Sequence, residues 1–188
     1  MSAAGPGVWI EASRPKTLWA AVAPVLLGIA AATAGGVFHF TAAALALVGA
    51  LLIQVGTNYF NDYADFVKGA DDADRTGPRR VVQAGLVSPE AMLRATALVF
   101  TMAVGSGTYL MIRGGWPIVL IGFSSILVGI LYTGGRFSLA YRGVADLFVL
   151  VFFGPVAVAG TYYVQALSWP PAIWFAGLGP GLMAVSIL

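Results

Sequence analysis

The sequence ALALVGALLIQVGTNYFNDYADFVKGADD, residues 44–72, joins a long apolar run directly to a cluster of acids and amides. Its first half is apolar enough to lie in lipid, whereas its second half carries Asp62, Asp65, Asp71 and Asp72. An Asp at the bilayer centre costs roughly 2.5–3.5 kcal/mol, so acids next to a membrane span are usually kept for a function. The stretch therefore predicts a membrane helix that ends in a functional site.

The composition of the whole chain supports a membrane location. Of its 188 residues, 59% are hydrophobic and 10% are charged, against roughly 25% charged residues in a soluble domain. The chain has no cysteine, which excludes disulfides and thiolate chemistry within it. Its apolar windows have the length of about 20 residues that a helix needs to cross a bilayer, and the short alternating segments of a membrane β-barrel are absent. We therefore predict an all-α integral membrane protein with a single domain over residues 1–188.

Six membrane spans are predicted, and the last one is expected to be unfinished at residue 188. Ser13 is expected to cap the first span, Ser88 the third, and the Gly154-Pro155 pair to kink the fifth. The spans lie near 17–37, 41–66, 88–112, 116–133, 143–165 and 170–188.

Basic residues gather at the span ends that share one side of the membrane. Arg14 and Lys16 precede the first span, further Lys and Arg follow the second and fourth, and Arg113 stands alone on the opposite side. Because Lys and Arg are enriched in cytoplasmic loops, the N-terminus and the Asp-rich cluster are predicted to lie in the cytoplasm, at the inner (cell) membrane.

Helical geometry places the polar residues of the opening stretch on one face. If the second span stays helical to Gly69, a rotation of about 100° per residue gathers its amides and acids within an arc of about 100°. These residues are Gln54, Asn58, Asn61, Asp62, Asp65 and Gly69. Two acids within one turn are expected to face a watery cavity or a cation.

The donor atoms on this face suit a hard cation and a phosphate. Carboxylate and amide oxygens without His or Cys favour Mg²⁺ or Ca²⁺ over zinc, and Mg²⁺ usually takes one or two carboxylates together with substrate phosphates. Arg side chains can bind phosphate oxygens in a bidentate manner. The basic residues that follow the acids are Lys68, Arg75, Arg79 and Arg80. The pattern therefore predicts a site that ionises a lipid diphosphate.

The same residues also allow plainer interpretations. Asp62 and Asp65 can be the solvated end of the second span, balanced by nearby Lys and Arg. Arg14 can bind a carboxylate or phosphate, or it can simply anchor the topology. Tyr132 can stack on a ligand ring, or it can belong to the interfacial aromatic belt. The residues alone leave these alternatives open.

Several segments carry a resemblance to a known family. The spacing N-x-x-N-D-x-x-D-x-x-x-G-x-D, from Asn58 to Asp71, followed by Asp74-Arg75-x-Gly77-Pro78, resembles the first Asp-rich motif of the UbiA-type membrane prenyltransferases. Softer segments are similar to the branch that prenylates 1,4-dihydroxy-2-naphthoate in menaquinone synthesis. They are Arg14-Pro15-x-Thr17-Leu18, Leu131-Tyr132-Thr133-Gly134-Gly135 and Phe152-Phe153-Gly154-Pro155-Val156-Ala157. The similarity extends from about residue 9 to residue 188.

The resemblance implies a helical bundle of nine spans around a central cavity, of which about six are in this chain. It also implies that a polyprenyl diphosphate is held through Mg²⁺ between two Asp-rich motifs, the second of which would follow Leu188. We therefore expect the 188 residues alone to be inactive.

The resemblance also implies roles for individual residues. Asp62 and Asp65 are expected to be catalytic through the metal, with Asn58 and Asp71, or Asp72, as further metal ligands. The expected substrate-binding residues are Asn58, Asn61, Lys68, Arg79, Arg80, Arg14 and Tyr132. The implied reaction is transfer of the polyprenyl group to dihydroxynaphthoate with loss of the carboxyl group, giving demethylmenaquinone.

Besides a structural membrane scaffold without activity at Asp62 and Asp65, two other functions remain open from the sequence. The acceptor can be another aromatic ring, of the homogentisate or 4-hydroxybenzoate type, in an enzyme of the same superfamily. The polar face can also be the ion site of a cation-binding transporter. The expected partners are the diphosphate, the aromatic acid and the lipid bilayer, and no nucleic acid is expected.

Overall fold

The computed structural model describes residues 5–69, 79–135, 138–139 and 143–188, and every regular element in these ranges is helical. The predicted ligands Asp71 and Asp72 lie outside them, as do Arg75 and its neighbours. The helices are α1 (Pro6–Ser13), α2 (Pro15–Ala34), α3 (Phe40–Lys68), α4 (Pro89–Gly114), α5 (Trp116–Thr133), α6 (Ala145–Val151), α7 (Ala157–Ala166), α8 (Pro171–Ala176) and α9 (Leu178–Ile187).

Five helical segments of the described chain are long and apolar enough to cross a membrane. They are α2, α3, α4, α5 and the continuous stretch Ala145–Ala166, which contains α6 and α7. The prediction of an all-α, multi-span membrane bundle is thereby confirmed. Residues 171–187 form a shorter apolar pair, because α8 and α9 meet at Gly177 instead of continuing as one helix.

The predicted kink in the fifth span is confirmed and coincides with a close helix contact. Residues Phe152–Val156 form a π-helical turn in which Gly154 has φ −113° and ψ −109°. Pro155 has no N–H to donate, and a turn of this kind is a usual place for a helix to bend. A Cβ on Gly154 would lie 2.6 Å from the carbonyl oxygen of Gly177, so the kink packs directly against the junction of α8 and α9.

The chain enters α2 through a left-handed residue, so the predicted cap at Ser13 is wrong. Ser13 ends α1, and its hydroxyl donates to the carbonyl of Ile10 at 2.7 Å. Arg14 links the two helices with φ 51° and ψ 71°, a conformation that costs a residue with a Cβ roughly 1–2 kcal/mol. The predicted cap at Ser88 is confirmed, since its hydroxyl accepts from the amide of Ala91 at 3.2 Å.

Helix α3 is the centre of the bundle and contacts α1, α2, α4, α5 and α7. Small residues allow the closest approaches: a Cβ on Gly129 of α5 would lie 2.4 Å from Thr57 Oγ1, and one on Gly56 would lie 2.6 Å from the ring of Phe100. Membrane helices depend on such packing because lipid offers no hydrophobic driving force between them.

Substitution of Gly28 by alanine is expected to lower the stability of the bundle by about 1–3 kcal/mol. Its Cβ would lie 2.7 Å from the backbone carbonyl of Val158 and 2.8 Å from Cβ of Thr161, so α2 and α7 would have to separate. Gly105→Ala is the matched control, because a Cβ there would meet nothing within 4 Å apart from its chain neighbours and the backbone of its own helix. Thermal unfolding in one detergent should show a lower melting temperature for Gly28→Ala only. Equal melting temperatures would contradict the expectation.

Candidate functional site

A cavity of about 790 Å³ lies inside the bundle, with a polar end and a long apolar remainder. The polar end is lined by Arg14, Gln54, Thr57, Asn58, Asn61 and Tyr132. The apolar remainder reaches Leu110, Ile118 and Val164 near the other end of the bundle. Along α3 the lining runs from Ala46 to Asn61, which is about 22 Å of helix.

The predicted polar face of α3 exists and is buried. Helix α3 is continuous to Lys68 and ends at Gly69, which has φ 62°. Its 29 residues measure about 44 Å, against a hydrocarbon layer of about 30 Å, so the last turns can extend beyond the apolar layer. The amides and acids of the face are all below 7% exposed: Gln54, Asn58, Asn61, Asp62 and Asp65.

Asn58 is oriented by the start of α2. Its Nδ2 donates to the carbonyl of Ser13 at 2.8 Å and to Thr17 Oγ1 at 3.1 Å. Since an amide nitrogen has two hydrogens, both are used, and the carbonyl oxygen is the atom of Asn58 that can accept a ligand. Arg14, which has the left-handed conformation, lies between Ser13 and Thr17 in the chain. Arg14 and Asn58 both line the cavity.

Asn61 is oriented by the end of α5, which binds its amide oxygen and not its amide nitrogen. Thr133 donates from Oγ1 to Asn61 Oδ1 at 2.6 Å, which leaves the amide nitrogen of Asn61 as its donor toward the cavity. Lys68 Nζ donates to the carbonyl of the same Thr133, at the carboxyl end of α5. The end of α5 therefore positions one amide and one ammonium of α3.

The two predicted catalytic acids have different partners. Asp62 accepts the backbone N–H groups of Val81 and Val82, at 3.0 Å to Oδ2 and 3.2 Å to Oδ1. Asp65 forms an ion pair with Arg80 through Oδ2 and NH2, and both side chains are at most 6% exposed. Asp62 and Asp65 are one turn apart on α3, but they bind backbone in one case and a side chain in the other.

Tyr132 and Arg14 both line the polar end of the cavity. The ring of Tyr132 packs near Ala20, Val149 and Ala184, and its hydroxyl is within electrostatic reach of Asp146, Arg14 and Asp65. Arg79, by contrast, is exposed. Asp146, in the first turn of α6, was not predicted as a site residue.

The structure thus brings together Arg14, Asn58, Asn61 and Tyr132 as cavity residues, with Asp65, Lys68 and Arg80 held by named partners at the same end. Sequence reasoning missed Thr17 and Thr133, which orient the two amides. Both lie in segments that carried the family resemblance, so a signal was present. The amides of Val81 and Val82 gave no signal, because a backbone donor has no sequence signature.

The chain matches a family model described as the UbiA prenyltransferase family over residues 21–188. It is 38% identical over 186 residues to the 1,4-dihydroxy-2-naphthoate octaprenyltransferase of Escherichia coli (strain K12), with 96% of this chain and 60% of that protein covered. The protein of the same name from Mycobacterium tuberculosis (strain ATCC 25618 / H37Rv) is 40% identical over 180 residues, with 96% and 61% covered. That from Bacillus subtilis (strain 168) is 32% identical over 161 residues, with 86% and 51% covered.

The chain spans about 60% of the length of the first two of these relatives. The sequence resemblance rested on the Asn58-to-Asp71 spacing and on softer segments that begin at Arg14, Leu131 and Phe152. Since the family match covers residues 21–188 and relatives at 38–40% identity align with 96% of the chain, the protein belongs to the UbiA prenyltransferase family.

Proposed function

We propose that this chain is part of an enzyme that transfers a polyprenyl group from a polyprenyl diphosphate to 1,4-dihydroxy-2-naphthoate, with loss of the carboxyl group, giving the quinol form of demethylmenaquinone. The observation that carries the proposal is the shape of the cavity, whose polar end with Arg14, Asn58 and Asn61 continues into an apolar space. A lipid diphosphate has the same division into a charged head and an apolar tail. The names of the relatives in three bacteria supply the acceptor.

The diphosphate head is proposed to bind where the cations and the Asn61 amide meet. Arg80 and Lys68 lie at the end of α3 nearest the polar residues, held by Asp65 and by the carbonyl of Thr133. The amide nitrogen of Asn61 is a donor, which suits a phosphate oxygen. Exposed Arg79 can add a further charge-assisted contact.

The residues present fit Mg²⁺ in part. The oxygen of Asn58 and the carboxylate of Asp65 are hard donors, and the side chain of Arg80 can turn from Asp65 toward a phosphate. In the described part of the chain no group of three or more His, Cys, Asp or Glu side chains could hold a metal. When bound, Mg²⁺ would neutralise charge on the leaving diphosphate. We therefore propose an Mg²⁺-dependent enzyme in which Asp65 and Asn58 are ligands, with Asp71 as a further predicted one.

The proposed transfer needs little acid or base chemistry from the chain. The bond between the allylic carbon and a diphosphate oxygen breaks, and its electron pair leaves with the diphosphate. The carbon of the electron-rich naphthoate ring that bears the carboxylate forms the new bond with a ring electron pair. The carboxylate then leaves as CO2, and the electron pair of the broken C–C bond restores the aromatic ring. Arg14 is proposed to hold the carboxylate of the acceptor, and Tyr132 is proposed to pack on its ring. The apolar part of the cavity is proposed to exclude water from the allylic cation that forms when the diphosphate leaves.

We propose that the protein lies in the inner membrane of the cell and that the polar end of its cavity faces the cytoplasm. Arg14, Lys68 and Arg80 lie at this end of the bundle, whereas Arg113 donates to the carbonyls of Val164 and Gln165 at the other end. An excess of Lys and Arg is typical of the cytoplasmic side.

The full-length gene product, reconstituted in liposomes, tests the proposed function. It should form a prenylated, decarboxylated naphthoquinol from an allylic polyprenyl diphosphate and 1,4-dihydroxy-2-naphthoate, and lose this activity when EDTA removes Mg²⁺. Homogentisate and 4-hydroxybenzoate are the competing acceptors. Product from one of these and not from the naphthoate would overturn the acceptor, and cation flux without any transfer would favour the transporter.

A further inference from the structure

Asp62 is the most enclosed acid of the polar face. Asp62 is 2% exposed, and neither Asp62 nor Asp65 is among the residues that line the cavity. Both of its carboxylate oxygens accept backbone N–H groups, from Val81 and Val82. These bonds differ from those of a side chain, since a backbone donor cannot turn away without movement of the whole segment.

The segment that Asp62 binds is a compact turn, residues 80–86. The amide of Ala84 donates to the carbonyl of Arg80, that of Gly85 to Val82 and that of Leu86 to Val81, each at 3.0 Å. In such a helix-like turn the first amides have no carbonyl within the turn to bind. Asp62 supplies the missing acceptor from another helix, as an N-cap side chain does within one helix.

The turn is also fastened by apolar packing. Val81 and Val82 are almost fully buried in a cluster with Tyr59 and Met92, which belong to α3 and α4. Tyr59 in turn donates from its hydroxyl to the carbonyl of Trp9 in α1 at 3.0 Å. The valines hold the turn against the bundle, and the Asp62 carboxylate fixes its rotation through two directed bonds.

We propose that Asp62 is a positioning residue that fixes the turn of residues 80–86 on α3, and thereby places Arg80 beside Asp65, and that it is not a metal ligand. The spacing agrees with this role. Arg80 binds Asp65, and the next residue, Val81, binds Asp62, which is one helical turn from Asp65. The inference replaces the predicted metal-binding role of Asp62. The expected kinetic effects of Asp62 rest on the proposed prenyl transfer, whereas its structural role in fixing the turn does not.

Hydrogen–deuterium exchange in the full-length gene product tests the structural half without turnover. Asp62→Ala should speed exchange of the amides of Val81 and Val82 about tenfold or more, since two charge-assisted bonds are lost. Asp62→Asn keeps one acceptor oxygen and should give a smaller increase. Asp65→Asn is the comparison variant: it loses the pair with Arg80 but keeps both bonds of Asp62 to the turn, so it should speed exchange of these two amides less than Asp62→Ala does. Unchanged exchange in Asp62→Ala would overturn the proposal, and this result does not depend on whether the protein is a prenyltransferase.

Kinetics test the positioning half. In Asp62→Asn the KM for the prenyl diphosphate should rise about tenfold, because Arg80 is no longer fixed, while the KM for the naphthoate and the Mg²⁺ concentration for half-maximal rate stay as in the wild type. A purely structural role would reduce the amount of active protein and leave both KM values unchanged. A rise in the Mg²⁺ requirement equal to that of Asp65→Asn would identify Asp62 as a ligand and overturn the proposal.

Discussion

Asp65→Asn is expected to reduce kcat/KM for prenyl transfer by about 100- to 1000-fold, the loss that follows removal of a group that stabilises charge in the transition state. Asp65 is the acid paired with a guanidinium, that of Arg80, a group that can also bind a diphosphate. The neutral amide keeps the size of the side chain and removes the charge that would hold both Arg80 and a cation. The assay of the reconstituted gene product described above measures the loss.

Stability has to be separated from catalysis in this variant. Arg80 is 6% exposed, and removal of the partner of a buried charge commonly costs about 3–5 kcal/mol. Arg80→Gln is the complementary single variant, and the double variant removes both charges. We expect each single variant to melt earlier than the wild type and the double variant to regain part of the difference, because no uncompensated charge remains from this pair.

The double variant decides which role of Asp65 matters. If Asp65 binds the metal or the diphosphate complex, the double variant transfers far more slowly than Arg80→Gln alone, even where stability returns. Equal transfer by the double variant and Arg80→Gln would instead mean that Asp65 acts only through Arg80. Thermal melting and the transfer assay on the same four preparations give the complete cycle.

The sequence was sufficient to predict the all-helical membrane class and the polar face of α3. Long apolar windows identify membrane helices because lipid allows few alternatives for the backbone, and a regular rotation per residue places Asn58, Asn61, Asp62 and Asp65 on one face. The kink at Gly154-Pro155 and the cap at Ser88 were also predicted, because both follow from the local chemistry of one or two residues.

The partners of the polar residues could not be predicted in the same way. Two acids on one face are equivalent in sequence, and only the fold shows that one binds backbone amides from residues 81 and 82 while the other binds Arg80. The left-handed conformation of Arg14 was missed for a related reason. A serine two residues before Pro15 satisfies the local rule for a cap. The carbonyl of Ser13, however, accepts from Asn58, 45 residues away, and this contact needs the tertiary structure.

The second large effect is expected at Arg14. Its φ of 51° favours glycine, and its side chain lines the polar end of the cavity. Strained residues of this kind persist where the surrounding structure holds them, and they are frequent at functional sites. Arg14→Gly is expected to raise the KM for dihydroxynaphthoate by about 10- to 100-fold, which corresponds to one charge-assisted hydrogen bond or bidentate pair. The melting temperature should be equal or higher, because glycine relieves the strain.

An acceptor without a carboxylate makes this expectation specific. 1,4-Dihydroxynaphthalene has the same ring and hydroxyls. The KM of the wild type for this acceptor should therefore be as high as the KM of Arg14→Gly for the naphthoate. Arg14→Gly should change the KM for 1,4-dihydroxynaphthalene little. Arg14→Lys keeps the charge and the strain but not the planar fork, and should lie between the two for the naphthoate. If Arg14→Gly impaired both acceptors equally, Arg14 would act on the diphosphate or on Asn58, because only recognition of the carboxylate can distinguish the two rings.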